Sequence, residues 1–222
     1  MPTSTRPRAV IFDLDGTIVD NMALHAEAFA AFAARHGLPE LTPADRAKLD
    51  GRRNSEIFPV LFGREMPREE WLAYEHEKEG LYRKLSRGRL TVVAGVQALL
   101  ARLNANGVAV ALATSAPELN VVHTLNEIGL HDAFPVIVRG DQVARGKPAP
   151  DVFIEASRQL GVPPAECVVF EDAPMGISAA HAAGMRVVAI ASSFSAAQFK
   201  ALAEPPDIVC RDFEELLTLT NW

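Results

Sequence analysis

The tract Val10-Ile11-Phe12-Asp13-Leu14-Asp15-Gly16-Thr17 ends an apolar run on two carboxylates placed two positions apart. Within a strand two such residues share a face, but where strand gives way to a glycine-containing loop the second can swing aside. Asp13 could then attack as a nucleophile while Asp15 moves protons. A solvated acidic turn and a calcium loop are the competing readings. The calcium loop fails on pattern: an EF-hand loop alternates Asp and Asn after a helix, whereas this pair follows Val-Ile-Phe and has apolar Ile18 where a further ligand belongs. The pair alone leaves chemistry and turn evenly matched, so the other apolar runs must decide.

Three of those runs close on residues of matching chemistry. Residues 108–113 lead into Thr114-Ser115, the loop after 136–138 carries Gly146-Lys147-Pro148, and 168–170 end in Glu171-Asp172. In a doubly wound sheet, ligands bind beyond the carboxyl ends of the strands. Several carboxylates converging there would repel and raise one another's pKa unless a cation were present. Magnesium suits such a mouth, because it is a hard, oxygen-seeking ion that keeps water and phosphate oxygens among its ligands. Each part also has a plain structural reading: Thr114 and Ser115 as a helix cap before Pro117, Lys147 as a surface lysine, Glu171-Asp172 as a capping turn before Pro174. Jointly those readings are weak, since accident would have to set nucleophile, hydroxyl, lysine and acidic pair at successive strand ends.

The elements that must position these residues follow from periodicity. The runs at 108–113, 136–138, 168–170 and 187–190 are continuously apolar, as strands covered on both faces are. Helical patterns at 93–106, 118–128, 151–160 and 176–183 alternate with them, and Gly107, Gly129, Gly161 and Gly184 stand at or just past their ends as stop signals. The expected fold is α/β, a doubly wound parallel sheet with Rossmann-like order. Residues 20–90 break the rhythm with amphipathic stretches at 22–36 and 71–85 and no convincing strand. The expected division is therefore a core of residues 1–19 and 91–222, with a helical cap, 20–90, inserted after the first strand.

Composition removes other classes. The 222 residues are 49% hydrophobic and 23% charged, ordinary for a chain that buries a core. A net charge of −6 gives no basic face for nucleic acid. Cys167 and Cys210 lack metal-ligand spacing and read as core residues. The polar start, Met1 to Arg8, has no apolar signal region, and no run approaches the ~18 apolar residues of a spanning helix. The expectation is a cytoplasmic protein that touches neither nucleic acid nor membrane.

Asp13-Leu14-Asp15-Gly16-Thr17, Thr114, Gly146-Lys147-Pro148-Ala149-Pro150-Asp151 and Phe170-Glu171-Asp172-Ala173-Pro174 together resemble the four ordered motifs of the haloacid dehalogenase-like hydrolases. The likeness is to their β-phosphoglucomutase-like branch, which also contains sugar-phosphate phosphatases. It implies that Asp13 forms an aspartyl-phosphate, that Asp15 is the general acid and base, and that Thr114, with neighbouring Ser115, and Lys147 hold phosphate. It implies Mg²⁺ on Asp13, the carbonyl of Asp15 and Asp172, with Glu171 as a further ligand or its support. In the cap, His25 shares a stripe with Phe29, Phe32 and His36 and matches in offset a histidine that moves the substrate proton. Lys78 resembles a cap lysine that touches substrate, although a solvated face among Glu75, Glu77 and Glu79 is the rival reading.

The departures from the mutase pattern are Asp50 before Gly51 and Asn54 after it, where mutase-like members carry lysine and arginine to grip a second phosphate. Arg52 or Arg53 could replace that grip. The resulting expectation is a Mg²⁺-dependent phosphatase of small phosphorylated metabolites, sugar phosphates above all, acting as a monomer or small homo-oligomer. The rivals are a hexose-phosphate mutase, a phospho-receiver module, and a phosphonate hydrolase using Lys48 or Lys78.

Overall fold

The computed structural model describes residues 6–222, so most of the polar start lies outside the described residues. The chain begins with β1 (Ala9–Phe12) and β2 (Val19–Asp20), followed by helices α1 (Met22–His36), α2 (Pro43–Leu49), α3 (Asn54–Phe62) and α4 (Arg68–Ser86). It continues through β3 (Thr91–Val92), α5 (Val96–Ala105), β4 (Ala109–Thr114), α6 (Glu118–Glu127), β5 (Val136–Arg139) and α7 (Asp151–Leu160). The last elements are β6 (Cys167–Glu171), α8 (Pro174–Ala182), β7 (Arg186–Ile190), α9 (Ala196–Lys200), β8 (Ile208–Cys210) and α10 (Phe213–Leu219).

Six strands form one parallel sheet in the order β5-β4-β1-β6-β7-β8. From β1 the chain winds outward through β4 to β5, then crosses back to β6 and winds the other way. The strand order therefore reverses beside β1, the topological switch point where open α/β sheets bind ligands. Alternation along each strand explains the continuous apolar runs. Val10, Phe12, Leu112, Val168 and Phe170 face a layer containing α5, α6 and α10, while Ile11, Ala113, Val169 and Val187 face α7, α8 and α9. Both faces are dry, so a polar residue is tolerated only where a strand runs out.

Helices α1 to α4 lie between β2 and β3, which pair as a short antiparallel ribbon, Val19 with Val92 and Asp20 with Thr91. Apart from Asp20, that ribbon lies just outside residues 20–90, whose elements are otherwise helices. Phe29, Leu49 and Ile57 give α1, α2 and α3 an apolar cluster of their own. Cys167 and Cys210 are buried free thiols, as read from the sequence. No helix among the described residues is long and apolar enough to cross a membrane.

Candidate active site

Asp13 is the first residue past β1, and its amide donates to the carbonyl of Phe170 at 2.9 Å, which holds it against the end of β6. Glu171 is the last residue of β6 and Asp172 follows it. Oxygens of Asp13, Glu171 and Asp172 lie within 4.8 Å of one another, all three side chains buried. Lys147 reaches into this cluster from the loop before α7, its Nζ 2.6 Å from Asp13 Oδ1, 2.7 Å from Glu171 Oε1 and 3.3 Å from the carbonyl of Ala113. It is 1% exposed and stacked over Phe153, so the surface-lysine reading is wrong.

Two glycines make the crowding feasible. Gly16 has φ +79°, and a Cβ there would fall 2.0 Å from Asp172 Oδ2. A Cβ on Gly176, in the first turn of α8, would fall 1.7 Å from Glu171 Oε1. Glu171 Oε2 accepts the amides of Asp172 and Ala173, both at 2.9 Å. With both its oxygens engaged, Glu171 fits the supporting role better than that of a direct metal ligand.

Burial pushes Asp13 up to about 8, with Glu171 and Asp15 adding to the rise and Lys147 opposing it. Burial, Glu171 and Asp13 hold Asp172 well above its ordinary value. With all three carboxylates ionised, one ammonium would leave two negative charges uncompensated, and a divalent cation is the species that would neutralise them. The donor set therefore fits a hard metal ion.

Asp15 swings away, as the glycine-containing loop predicts. Its carboxylate accepts from Asn21 Nδ2 at 2.6 Å and stands 3.5 Å from His25 Nε2. Burial alone would raise Asp15, but the His25 ring, the Asn21 amide and Lys78 behind them bring it below the usual carboxylate range. Among the described residues its carboxylate is outside the metal cluster, which leaves only its carbonyl for that role. Lys78 Nζ, which can only donate, lies 3.1 Å from His25 Nδ1. The ring proton therefore sits on Nε2, aimed at Asp15. Tyr82 stacks on His25 at 3.9 Å and 7°.

Lys78 is 2% exposed, bonded to Glu79 Oε1 at 2.9 Å and packed over Phe29 at 4.2 Å, so the solvated-face reading fails. Glu79, itself 3% exposed, also accepts from Asn54 at 2.8 Å and from Asn120 of α6 at 2.6 Å. Thr114 is buried and its Oγ1 accepts the amide of Ala116 at 3.0 Å, while Ser115 Oγ donates to the carbonyl of Gly51 at 2.7 Å. Neither side chain caps α6. One cavity of about 650 Å³, open mouth included, joins Asp13, Asp15, Thr114 and Asp172 to His25 and Lys78.

Sequence reasoning missed several members. Ser193 Oγ donates to Asp172 Oδ2 and Ser192 Oγ to the carbonyl of Gly16. Both follow β7, so inspecting one more strand end would have found them. Asn21 stands at the N-cap position of α1 without capping it, and its side chain instead serves Asp15 and the amide of Gly16. Arg53 does not grip from the cavity wall; it donates to the carbonyls of Gly140 and Val143 on the core.

Residues 10–190 match the family model described as haloacid dehalogenase-like hydrolase. The chain is 31% identical over 219 residues to the phosphorylated carbohydrates phosphatase of Thermotoga maritima, covering 95% of this chain and 97% of that one. It is 34% identical over 190 residues to the beta-phosphoglucomutase of Bacillus subtilis, covering 82% and 83%. A solved HAD hydrolase, family IA, variant 3, from Entamoeba histolytica superposes with a TM-score of 0.84 at 30% identity, covering 93% of this chain and 94% of that one.

Proposed function

Because the chain belongs to the haloacid dehalogenase-like hydrolases, in their phosphatase and phosphomutase branch, we propose that it hydrolyses monophosphates of small sugars or polyols through an aspartyl-phosphate on Asp13. The observation that carries this is Lys147 bridging Asp13 and Glu171 beneath the cavity, with Asp15 turned to His25. Asp13 attacks phosphorus and Asp15 gives a proton to the departing sugar oxygen. Asp15 starts ionised; the arriving phosphate dianion raises its proton affinity, so it takes up a proton from water before the sugar oxygen departs. With the sugar gone, Asp15 takes a proton from the water that cleaves the aspartyl-phosphate. Lys147 and the Thr114 hydroxyl hold the phosphoryl oxygens, whose charge spreads in the transition state.

Mg²⁺, when bound, would neutralise the carboxylates and draw charge from the phosphoryl oxygens. Asp13, Asp172 and the carbonyl of Asp15 would hold it, with Glu171 in support. Residues 20–90 act as a cap over the core of 1–19 and 91–222, supported by the cavity that both parts line. Two buried free thiols support a cytoplasmic setting.

Water is favoured over a sugar hydroxyl as acceptor because two of the three cations lining the cap side of the cavity are already paired with carboxylates. Arg46 is paired with Asp50 at 3.0 Å and Lys78 with Glu79, while Arg52, the third, bonds the carbonyl of Lys48 at 3.0 Å and has no carboxylate partner among the described residues. The test measures phosphate release from a panel of sugar and polyol monophosphates with and without Mg²⁺, beside isomerisation of β-glucose 1-phosphate primed with glucose 1,6-bisphosphate. Metal-dependent phosphate release faster than isomerisation is expected; the reverse order would make the protein a mutase. Mass spectrometry after acetyl phosphate should find the phosphoryl group on Asp13, accumulating when Asp15 is replaced by Ala.

A further inference from the structure

Arg53 joins the proposed cap to the loop that carries Lys147. It precedes α3, and its guanidinium is anchored on Glu56, with Nε at 3.1 Å and Nη2 at 2.7 Å from Oε1. The remaining nitrogen, Nη1, donates across to three main-chain carbonyls: Gly140 at 3.2 Å, Val143 at 3.3 Å and Ala144 at 3.5 Å. All three belong to the segment between β5 and Lys147.

Two glycines in that segment clear the space. A Cβ on Gly146 would lie 2.6 Å from Arg53 Nε and 2.9 Å from Glu56 Oε1, and one on Gly140 would lie 3.0 Å from Arg53 Cδ and Cγ. Neither glycine has left-handed backbone. Alanine would therefore suit the main chain at both positions and collide chiefly with Arg53, and at Gly146 also with its partner Glu56. Gly146 is bonded directly to Lys147, whose ammonium must sit within hydrogen-bond reach of Asp13 and Glu171. A loop is a poor mount for so exact a placement unless something ties it down. Charge-assisted bonds from a half-buried guanidinium do so.

We propose that Arg53 is a positioning residue that seats the 140–147 segment, so that Lys147 reaches its place over Asp13 only when the cap is docked on the core. The proposal rests on the phosphatase reading for its consequence in turnover but not for the contact itself. It also explains why a cap arginine close to the cavity is unavailable for substrate.

The experiment uses the full chain with Mg²⁺ and the variants Arg53→Met, Arg53→Lys, Gly146→Ala and Arg53→Met/Gly146→Ala. Amide hydrogen exchange is read over residues 140–147, with kcat and KM for the best monophosphate. Arg53→Met should speed exchange in that segment and lower kcat about 10- to 100-fold with KM changed by less than about 3-fold, the size of effect a misplaced group produces. Arg53→Lys should recover little, because one ammonium cannot hold Glu56 and span the carbonyls. Gly146→Ala should reproduce the Arg53→Met phenotype, and the double variant should be no worse than the poorer single one. Unchanged exchange over 140–147, losses that multiply in the double variant, or a rise in KM with kcat intact would each overturn the proposal. Exchange needs no turnover, so a chain that releases no phosphate would defeat the phosphatase reading while leaving this contact tested.

Discussion

Two buried lysines serve the cavity, Lys78 lining its helical end and Lys147 lying beneath its sheet end, and their surroundings differ. Lys147, at the sheet end, sits between two carboxylates of a cluster that also holds Asp172, over the ring of Phe153. Lys78, at the helical end, has Glu79 and the neutral side of His25 over the ring of Phe29. With its carboxylates ionised, the sheet end carries more negative charge than its lysine can offset, which suits a divalent cation. At the helical end each acid facing the cavity meets its base, Glu79 with Lys78 and Asp50 with Arg46, leaving Arg52 as the one lining cation without a carboxylate partner among the described residues, which suits a hydroxyl-bearing body of little charge. A buried ion pair contributes little net stability. Chemistry should therefore depend steeply on the sheet end, and substrate choice on the helical end.

The contrast is sharpest at Asp13. Asp13→Asn removes the nucleophile and a carboxylate of the cluster together, and should lower kcat by ~10⁴-fold or more. A folded variant that still releases phosphate at a near-normal rate would remove the covalent mechanism and much of the distinction between the two ends.

The two lysines can be compared directly. Lys147→Met should cost ~10²- to 10³-fold in kcat, as loss of a donor to a charge-developing oxygen does. Lys78→Met should cost only ~10-fold, because it acts on Asp15 through His25. Equal losses would mean that the helical end takes a direct part in phosphoryl transfer.

Much of this contrast is legible in the chain, but unevenly. Asp13, Thr114, Lys147 and Glu171-Asp172 stood out because a strand buried on both faces cannot hold a polar residue until it ends. Glu79 was hidden for the opposite reason. Flanked by Glu75 and Glu77 it resembles a solvated helix face, and its burial arises from Asn54 and Asn120, distant in sequence. Thr42, Pro43 and Asp45 carry a helix-start signature, and the Thr42–Asp45 capping box it implies is present in α2. Helix α3 carries Pro59 in its interior, which weakens any periodic signal. The direction Arg53 takes depends on how the helices dock and has no local signature.

Metal and pH probe the sheet end by stability. In the metal-free protein Asp13 keeps a proton to about pH 8, whereas an unfolded chain loses it near 4. The folded state thus binds more protons through that window, so its stability falls as pH rises from about 4 to 8. Mg²⁺ needs the ionised carboxylates and should restore what is lost. At saturating Mg²⁺, roughly 100 times Kd, the gain is about 2.7 kcal/mol, or roughly 5–10 °C in Tm for a chain of this size. Melting with and without Mg²⁺ should give that gain at pH 8.5 and a smaller one at pH 5.5. A gain independent of pH would separate the metal from the Asp13 cluster.

The smallest effect belongs to the helical end and concerns choice of substrate. Asp50 and Arg46 form an i,i+4 pair on the cavity wall, their side chains 16% and 14% exposed, and burial raises Asp50 against the pull of Arg46. Asp50→Asn keeps the shape of the wall but leaves Arg46 without its carboxylate, giving the helical end one more uncompensated positive charge. A second phosphate near that charge gains about 1 kcal/mol at the effective dielectric of a half-buried site, hence roughly 5-fold in kcat/KM. Monophosphates with a neutral body should change by less than about 3-fold. The measurement is the ratio of kcat/KM for a sugar bisphosphate to that for its monophosphate in both proteins. An unchanged ratio would show that Asp50 plays no part in excluding the second phosphate, whereas a fall in monophosphate turnover of ~10-fold or more would mean that Asp50 itself holds the sugar.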